Sequence, residues 1–535
     1  MKAKIFLRVI LVALGTLIVL PFASRPQMHA NPPAPPSVPG VGQLGGPLAG
    51  LTSSQTALFN SGYTDFNIFF DPIRGLGPVF TGAGCFNCHG GGNKVITQCQ
   101  FNPAGVACVA GGTSVLLGTR YGKWNSDGTF NYLDGTGTVP ENEGGPTLHF
   151  QTVSEFHETP ACNQVTVAAS PRGATESGAT VTITTTTPHG FAVGQRAQLA
   201  RVGGVATNGY NGAFSILAVP TSTTFTYTDG TSGLAASGGG SASNMPVETV
   251  PADATVVNKI RSPQLYGLGL IDSIPESTIT SNQTAQCQNK GTTGICGATN
   301  MVPDQNGATH VGRFGQKASI PNLLMFTASA FNNEAGITNA FFPVKHLPQG
   351  LPYPAACAPD PNNPDDVNGE DFLHAYQFNE LLAPVTPGNP NPAGKTVFEN
   401  TGCNICHTES MTTGPNVKLV TDLNGGLSTV VAPLSNATVN LYSDLLLHDM
   451  GPGLSGGIPF QPEQLGQATL TEWRTAPLWG LSTRIQVGLL HDNRTTDLNT
   501  AILDHGGEAA TQVIPNYKAL SPADNASLLA FLNSL

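Results

Sequence analysis

The sequence predicts a mainly α protein made of two helical units and one small inserted all-β module. Three observations carry that expectation. Two identical Cys-x-x-Cys-His patterns lie far apart, each behind its own Gly-rich lead-in. Helical apolar spacing appears around residues 320–331 and again close to the C-terminus. Between the two patterns, residues 163–247 carry short β-branched runs at roughly ten-residue spacing, with Pro, Gly and Asn in the gaps.

Composition bounds the rest. A chain of 535 residues has room for two or three domains, and Gly 63 with Pro 42 makes about a fifth of it turn-forming. Charged residues are 11 %, against about 25 % in ordinary soluble proteins, while 40 % hydrophobic residues suffice for real cores. The net charge of −11 argues against nucleic-acid binding, which needs concentrated Lys and Arg.

In chain order, residues 1–30 read as a secretory signal and the start of a Pro-rich spacer. Lys2, Lys4 and Arg8 precede an apolar run over residues 9–20. That run is short of the roughly 20 apolar residues a membrane span needs. Cleavage falls near Ala23 or after Ala30, with an uncleaved anchor as the alternative. No later segment is apolar for long enough to span a bilayer. The expectation is an exported protein, periplasmic, secreted or at the cell surface, in which spare cysteines can oxidise.

Residues 48–162 and 248–384 form an N-terminal unit, discontinuous around the 163–247 module. That module ends in a Gly/Ser stretch, 233–241, which reads as a flexible linker. Residues 384–392 read as a second linker, and 394–535 as a C-terminal unit. Its last helix opens with Ser521 as N-cap, Pro522 in the first turn and Asp524 three residues on.

Cys85-Phe86-Asn87-Cys88-His89 and Cys403-Asn404-Ile405-Cys406-His407 carry the chemistry. Thiols three residues apart on a helical turn reach the two vinyl groups of one porphyrin, and the next His supplies an imidazole to the iron. This is the c-type haem attachment pattern. Chance predicts only about 0.004 such pentapeptides in this chain, so two are not accidental. A zinc site would need four ligands at one centre, whereas these motifs are separate. The expectation is two covalently bound haem c groups, with His89 on one iron and His407 on the other, in two cytochrome c-like haem domains. Cys99, Cys108, Cys162, Cys287, Cys296 and Cys357 remain. Cys99/Cys108 and Cys287/Cys296 share a nine-residue separation, which suggests structural disulfides and leaves Cys162–Cys357 as a long-range candidate. Six cysteines still allow fifteen arrangements. The function turns on each iron's sixth position, since a haem closed on both faces transfers electrons and an open one binds peroxide or oxygen.

The chain resembles the bacterial di-haem oxidoreductases, also called thiol oxidoreductases, relatives of di-haem cytochrome c peroxidases, MauG and rubber oxygenases. Gly75-Leu76-Gly77-Pro78, Phe314-Gly315-Gln316-Lys317-Ala318 and Ala330-Phe331-Asn332-Asn333-Glu334 carry the likeness in the first unit. Leu447-His448-Asp449-Met450-Gly451, Trp473-Arg474-Thr475-Ala476-Pro477-Leu478-Trp479, Leu490-His491-Asp492 and Asp504-His505-Gly506-Gly507-Glu508 carry it in the second. The resemblance implies an electron-relay haem on His407 and a catalytic haem on His89. It implies His505 as distal ligand of the relay haem, with Met450 as rival, and places His448 and His491 at the interface or the propionates. It makes Glu334 the carboxylate over an open first haem and Arg474 a cation between the haems. A Ca²⁺ between the domains is also suggested, although no acidic cluster identifies it. One departure is plain: the peroxidases have a Trp near the start of the Phe314 segment, where this chain reads Phe-Gly-Gln-Lys-Ala.

The leading expectation is therefore a peroxidase-like di-haem oxidoreductase using a small redox protein or other electron donor and peroxide or O₂. A di-haem oxygenase acting on an organic substrate and a non-catalytic electron-transfer cytochrome are the alternatives.

Overall fold

The computed structural model describes residues 45–535 except 69, 71–73, 83, 86–88, 90–97, 103–104, 110–116, 132, 134–146, 150, 153–164, 201, 205–209, 229–232, 244–247, 249, 252, 347–365, 367–368, 387, 389–390, 424–425, 459–467 and 486–487. The leader expected at 1–30 lies outside these residues. The expectation of a mainly α protein with two cytochrome c-like haem domains is corrected. The chain has 32 % helix and 21 % strand. Among the described residues there are six two-stranded ladders, one three-stranded sheet and one seven-stranded sheet. The long Gly- and Pro-rich connections fold back on themselves as two- to eight-residue strands, such as Leu447–Asp449 against Glu472–Arg474.

Five helices frame the two motifs. Helix α1 (Ser53–Phe66) starts at a capping box between Thr52 and Gln55 and buries Phe59, Tyr63 and Phe66 on one face. Burying each such ring contributes about 1.5–3 kcal/mol. Helix α2 (Leu323–Ala335) begins at Asn322, whose side chain accepts the Met325 N–H. Helix α3 (Glu370–Glu380) crosses α1 where Gly62 allows it, since a Cβ there would lie 2.2 Å from the His374 carbonyl oxygen. Helix α4 (Pro392–Thr401) is capped by Asn391 and led by Pro392 in its first turn. Helix α5 (Pro522–Leu532) starts as its Ser-Pro-x-Asp lead predicts, with Ser521 accepting from the Asp524 N–H. It crosses α4 at Gly394, where a Cβ would sit 2.0 Å from the Ser527 carbonyl oxygen. No helix of the described residues is long and apolar enough to cross a membrane.

Three apolar clusters fill the molecule. The largest gathers α1, α2 and α3 with Met411, Leu419, Val431, Leu434, Val439, Leu441, Leu445 and Leu446. A second packs Phe398 of α4 against Tyr442, Leu528 and Phe531. A third belongs to the inserted module alone, with Val181, Ile183, Ile216, Phe225 and Tyr227 at its centre.

The module's strands are β1 (Val165–Thr166), β2 (Ala174–Ser177), β3 (Thr180–Thr184), β4 (Arg196–Ala200), β5 (Gly212–Thr221), β6 (Thr224–Thr228) and β7 (Ser241–Ser243). They form one sheet in the order β1-β7-β4-β5-β6-β3-β2. Alternation does the sorting: Val181 and Ile183 of β3 are buried while Thr180, Thr182 and Thr184 face outward. The first and last strands pair, Val165 opposite Ala242, so the chain enters and leaves the module side by side. The stretch expected to be a flexible linker, 233–241, is instead stitched to the sheet. Ala174 and Ser237 exchange both backbone bonds, and the Gly239 N–H donates to the Ala168 carbonyl at 2.8 Å. Gly238 serves close approach, because a Cβ there would meet the Ala168 oxygen at 2.3 Å, while Gly233 and Gly239 take positive φ values of 88° and 76°.

Candidate functional site

The second motif hangs directly off α4. Gly402 ends the helix at φ 92°, a conformation that favours glycine, and Cys403–Ile405 continue as a tight turn. The His407 N–H donates to the Cys403 carbonyl at 2.9 Å, which brings the imidazole under the turn. Cys403, Cys406 and His407 line a cavity of about 280 Å³, and Met450, Trp473, Arg474 and His505 line the same space.

Two histidines in this cavity each commit Nδ1 to a backbone carbonyl. His407 Nδ1 donates to the Tyr442 carbonyl at 3.0 Å. His505, just past the helix Leu498–Leu503, donates Nδ1–H to the Ala501 carbonyl at 2.8 Å. A carbonyl can only accept, so the proton sits on Nδ1 and each Nε2 keeps its lone pair. Burial keeps both rings neutral. It pushes His407 down to about 4, and the nearby His505 adds to that effect. Burial likewise lowers His505. Met450, the rival ligand, lines the cavity too, with its backbone N–H bound to the Thr471 carbonyl.

His448 plays a different part from these. Its Nε2 donates to Asp444 at 2.9 Å and its Nδ1 to Glu508 at 2.6 Å, while Cys406 Sγ lies 3.6 Å from Nδ1. Burial works to lower its pKa, but the Asp444 carboxylate and Cys406 outweigh it and hold the ring protonated well above the ordinary histidine range. Cys406, Asp444 and His448 bring donor atoms within 4.8 Å of one another. With both ring nitrogens donating, the ring has no lone pair for a metal, so the cluster is a hydrogen-bonded network. Among the described residues no carboxylate cluster suited to Ca²⁺ appears.

The residues present fit a covalently held porphyrin. Two thiols and two lone-pair-bearing imidazoles share one cavity with apolar walls that include Phe314, Phe398, Leu454 and Leu481. Buried polar atoms around it, Arg261 Nε, Arg484 Nε and Gln316 Oε1, have no hydrogen-bond partner among the described residues.

The first motif is described in part. Cys85 is half-buried against the main core, and burial pushes its thiol up to about 12. The His89 ring lies 6.1 Å from that of Phe66, and burial lowers its pKa to about 4. Cys88 lies outside the described residues. Glu334, in the last turn of α2, is half-buried, and its carbonyl accepts the N–H of Thr81 at 2.7 Å and of Gly82 at 3.2 Å. The helix end is thereby tied to the loop that leads into the motif.

Glu334 and Arg474 do not meet at one centre. Arg474 lines the second cavity, where Nε donates to the Gly315 carbonyl at 3.0 Å. Helix α2 joins the two places: Phe326 in its first turn lines the cavity, and Glu334 lies eight residues on. At 1.5 Å rise per residue the offset is about 12 Å along the axis. His491 stacks on Trp473 with centroids 3.9 Å apart, and the Lys317 ammonium sits 3.6 Å over the same indole. Gln316 donates Nε2–H to the Arg261 carbonyl at 2.9 Å.

Sequence reasoning missed a buried cluster behind α2. His149 donates Nε2–H to the Asn333 carbonyl at 2.9 Å and pairs through Nδ1 with Glu248 at 2.8 Å. His346 bonds the Asn332 and Asn333 side chains. No local pattern marks residues so far apart in sequence. The remaining cysteines are partly visible. Cys287 and Cys296 are joined as a disulfide. The backbones of Cys99 and Cys108 face each other across a hairpin, while Cys162 and Cys357 lie outside the described residues.

A family model described as "di-haem oxidoreductase, putative peroxidase" matches residues 235–355 and 387–535. The match takes in the second motif, His448, Trp473, Arg474, His505, α2 and Glu334. No curated protein and no solved structure matches the chain. With half of its length matched, including the cavity and the helix that joins it to the first motif, the chain belongs to the di-haem oxidoreductase family.

Proposed function

We propose that the protein is an exported, peroxidase-like di-haem enzyme holding two covalent haem c groups, one on Cys85, Cys88 and His89 and one on Cys403, Cys406 and His407. The pairing of His407 and His505 across one cavity carries this reading. His407 and His505 would hold the iron of the second haem, and an iron held by two imidazoles would suit a relay of electrons. When bound, the haems supply electron storage at the second centre and peroxide reduction at the first, with a small redox protein as donor. Glu334 takes a proton from the near oxygen of peroxide and returns it to the departing oxygen. Arg474 steadies negative charge on the relay side, and the neutral, anchored His505 excludes peroxide from that centre.

Spectra of the purified protein test this. One low-spin and one high-spin haem are expected in at least one redox state. Two six-coordinate low-spin haems in every state would remove the catalytic claim. Glu334→Gln should slow peroxide turnover by roughly 10²- to 10⁴-fold at unchanged haem content. The 314–318 segment, Phe-Gly-Gln-Lys-Ala without the Trp that the peroxidases carry near its start, favours a second reading: an electron-transfer cytochrome whose behaviour Glu334→Gln leaves unaltered.

A further inference from the structure

The second cavity has a charge imbalance that its attachment residues do not explain. Arg261, Arg313, Arg474 and Arg484 line it, against Glu508 as the single lining carboxylate among the described residues. Glu508 is committed to His448, and Asp444 holds the other nitrogen of the same ring. Among the described residues, no ion pair links any of the four guanidiniums to a carboxylate.

The four are not alike. Arg313 is absorbed by the fold, donating to the carbonyls of Ile271, Asp272 and Ile274. Among the described residues the Arg261 guanidinium donates only to the Gly488 carbonyl at 3.2 Å, and that of Arg484 only to the Pro477 carbonyl at 2.6 Å. Both leave a buried Nε without a partner among these residues. Arg484 is 5 % exposed, yet its charge bears on both Arg261 and Arg474. A guanidinium does not shed its proton, so like charges gathered out of water call for an anion. The anion must be dispersed over planar oxygens to use such forks, which describes carboxylates.

We propose that Arg261 and Arg484, with Arg474 beside them, form the cradle for the two propionate carboxylates of the haem held by the second motif, and that their charge raises its reduction potential. The inference rests on the reading that a haem occupies this cavity. Each carboxylate accepts guanidinium N–H bonds that the protein leaves open. The surplus positive charge then favours the iron state of lower charge, the reduced one.

Arg261→Gln, Arg484→Gln and the double variant, made as full haem-loaded chains, test this beside Arg→Lys controls. Haem per chain is counted first, then the low-spin centre is titrated potentiometrically. Its midpoint potential should fall in both Gln variants, fall further in the double variant and become pH-dependent as the propionates titrate. The other haem should keep its potential, and Lys should restore part of the loss. Unchanged midpoints in both Gln variants overturn the cradle. If those variants do not accumulate, redox-difference infrared spectra of the wild type with ¹³C-labelled propionates decide. Ionised, pH-insensitive carboxylates support the cradle, and carboxylates titrating as in water overturn it. A wild-type protein lacking haem on Cys403 and Cys406 overturns the underlying functional reading, and the cradle with it.

Discussion

His407 and His505 show how single residues are made ready for chemistry. A backbone carbonyl takes the Nδ1 proton of each, and burial removes the option of a second one. The same burial predicts acid sensitivity. Unfolded, a histidine titrates near 6.5, whereas His407 in the fold is lowered to about 4. Between those values the unfolded chain binds more protons, so the stability is present above pH 6.5 and is lost as the pH falls toward 4. For one such ring the loss is on the order of 3 kcal/mol. Urea unfolding of the haem-free protein at neutral and acid pH should show it, and His407→Gln should reduce the difference. His505→Met should raise the potential of the low-spin haem, while Met450→Leu should leave it in place; the reverse pattern would make Met450 the ligand. The two Cys-x-x-Cys-His motifs were legible because their residues are contiguous. The carboxylates flanking His448 come from residues 444 and 508, so only folding could bring them together.

At the level of elements, one helix cap was the readable signal. Ser521 caps the helix that its sequence announces, whereas Asn391, in the stretch read as a linker, also caps a helix. Asn391→Ala should lower stability by about 1 kcal/mol by orphaning the Ala393 and Gly394 N–H groups, readable as a shift in thermal midpoint. Gly394→Ala should cost more, about 1–3 kcal/mol, because the added methyl would press on backbone. Calorimetry that found Gly394→Ala neutral would mean that α4 and α5 can separate freely. The small ladders were not legible. A strand of two or three residues, such as Val79–Phe80 or Met411–Thr412, is too short to display a period of two. The 233–241 stretch misled for another reason: glycine abundance signals freedom in a linker and contact in a packed edge alike.

Across the whole molecule, the two motifs are joined by more than chain order. Residues 411–446 follow the second motif yet contribute side chains to the core that also holds Cys85, and α2 runs from one cavity wall to the loop before the other motif. Loosening that shared core should therefore disturb both centres. Leu445→Ala, at a residue 1 % exposed, should cost about 2–5 kcal/mol and change the spectra of both haems, where a local defect would change one. The inserted sheet stands apart from this coupling, with a core of its own. Removing 165–243 and closing the gap with a short Gly/Ser bridge should preserve both haem spectra and peroxide turnover. Loss of either would show that the sheet supports a centre. Because β1 and β7 are neighbours, the chain's entry and exit there work as a socket. A fluorescent domain or an electrode tether with adjacent termini could be plugged in at that point, wiring the enzyme to a surface while leaving both iron sites undisturbed.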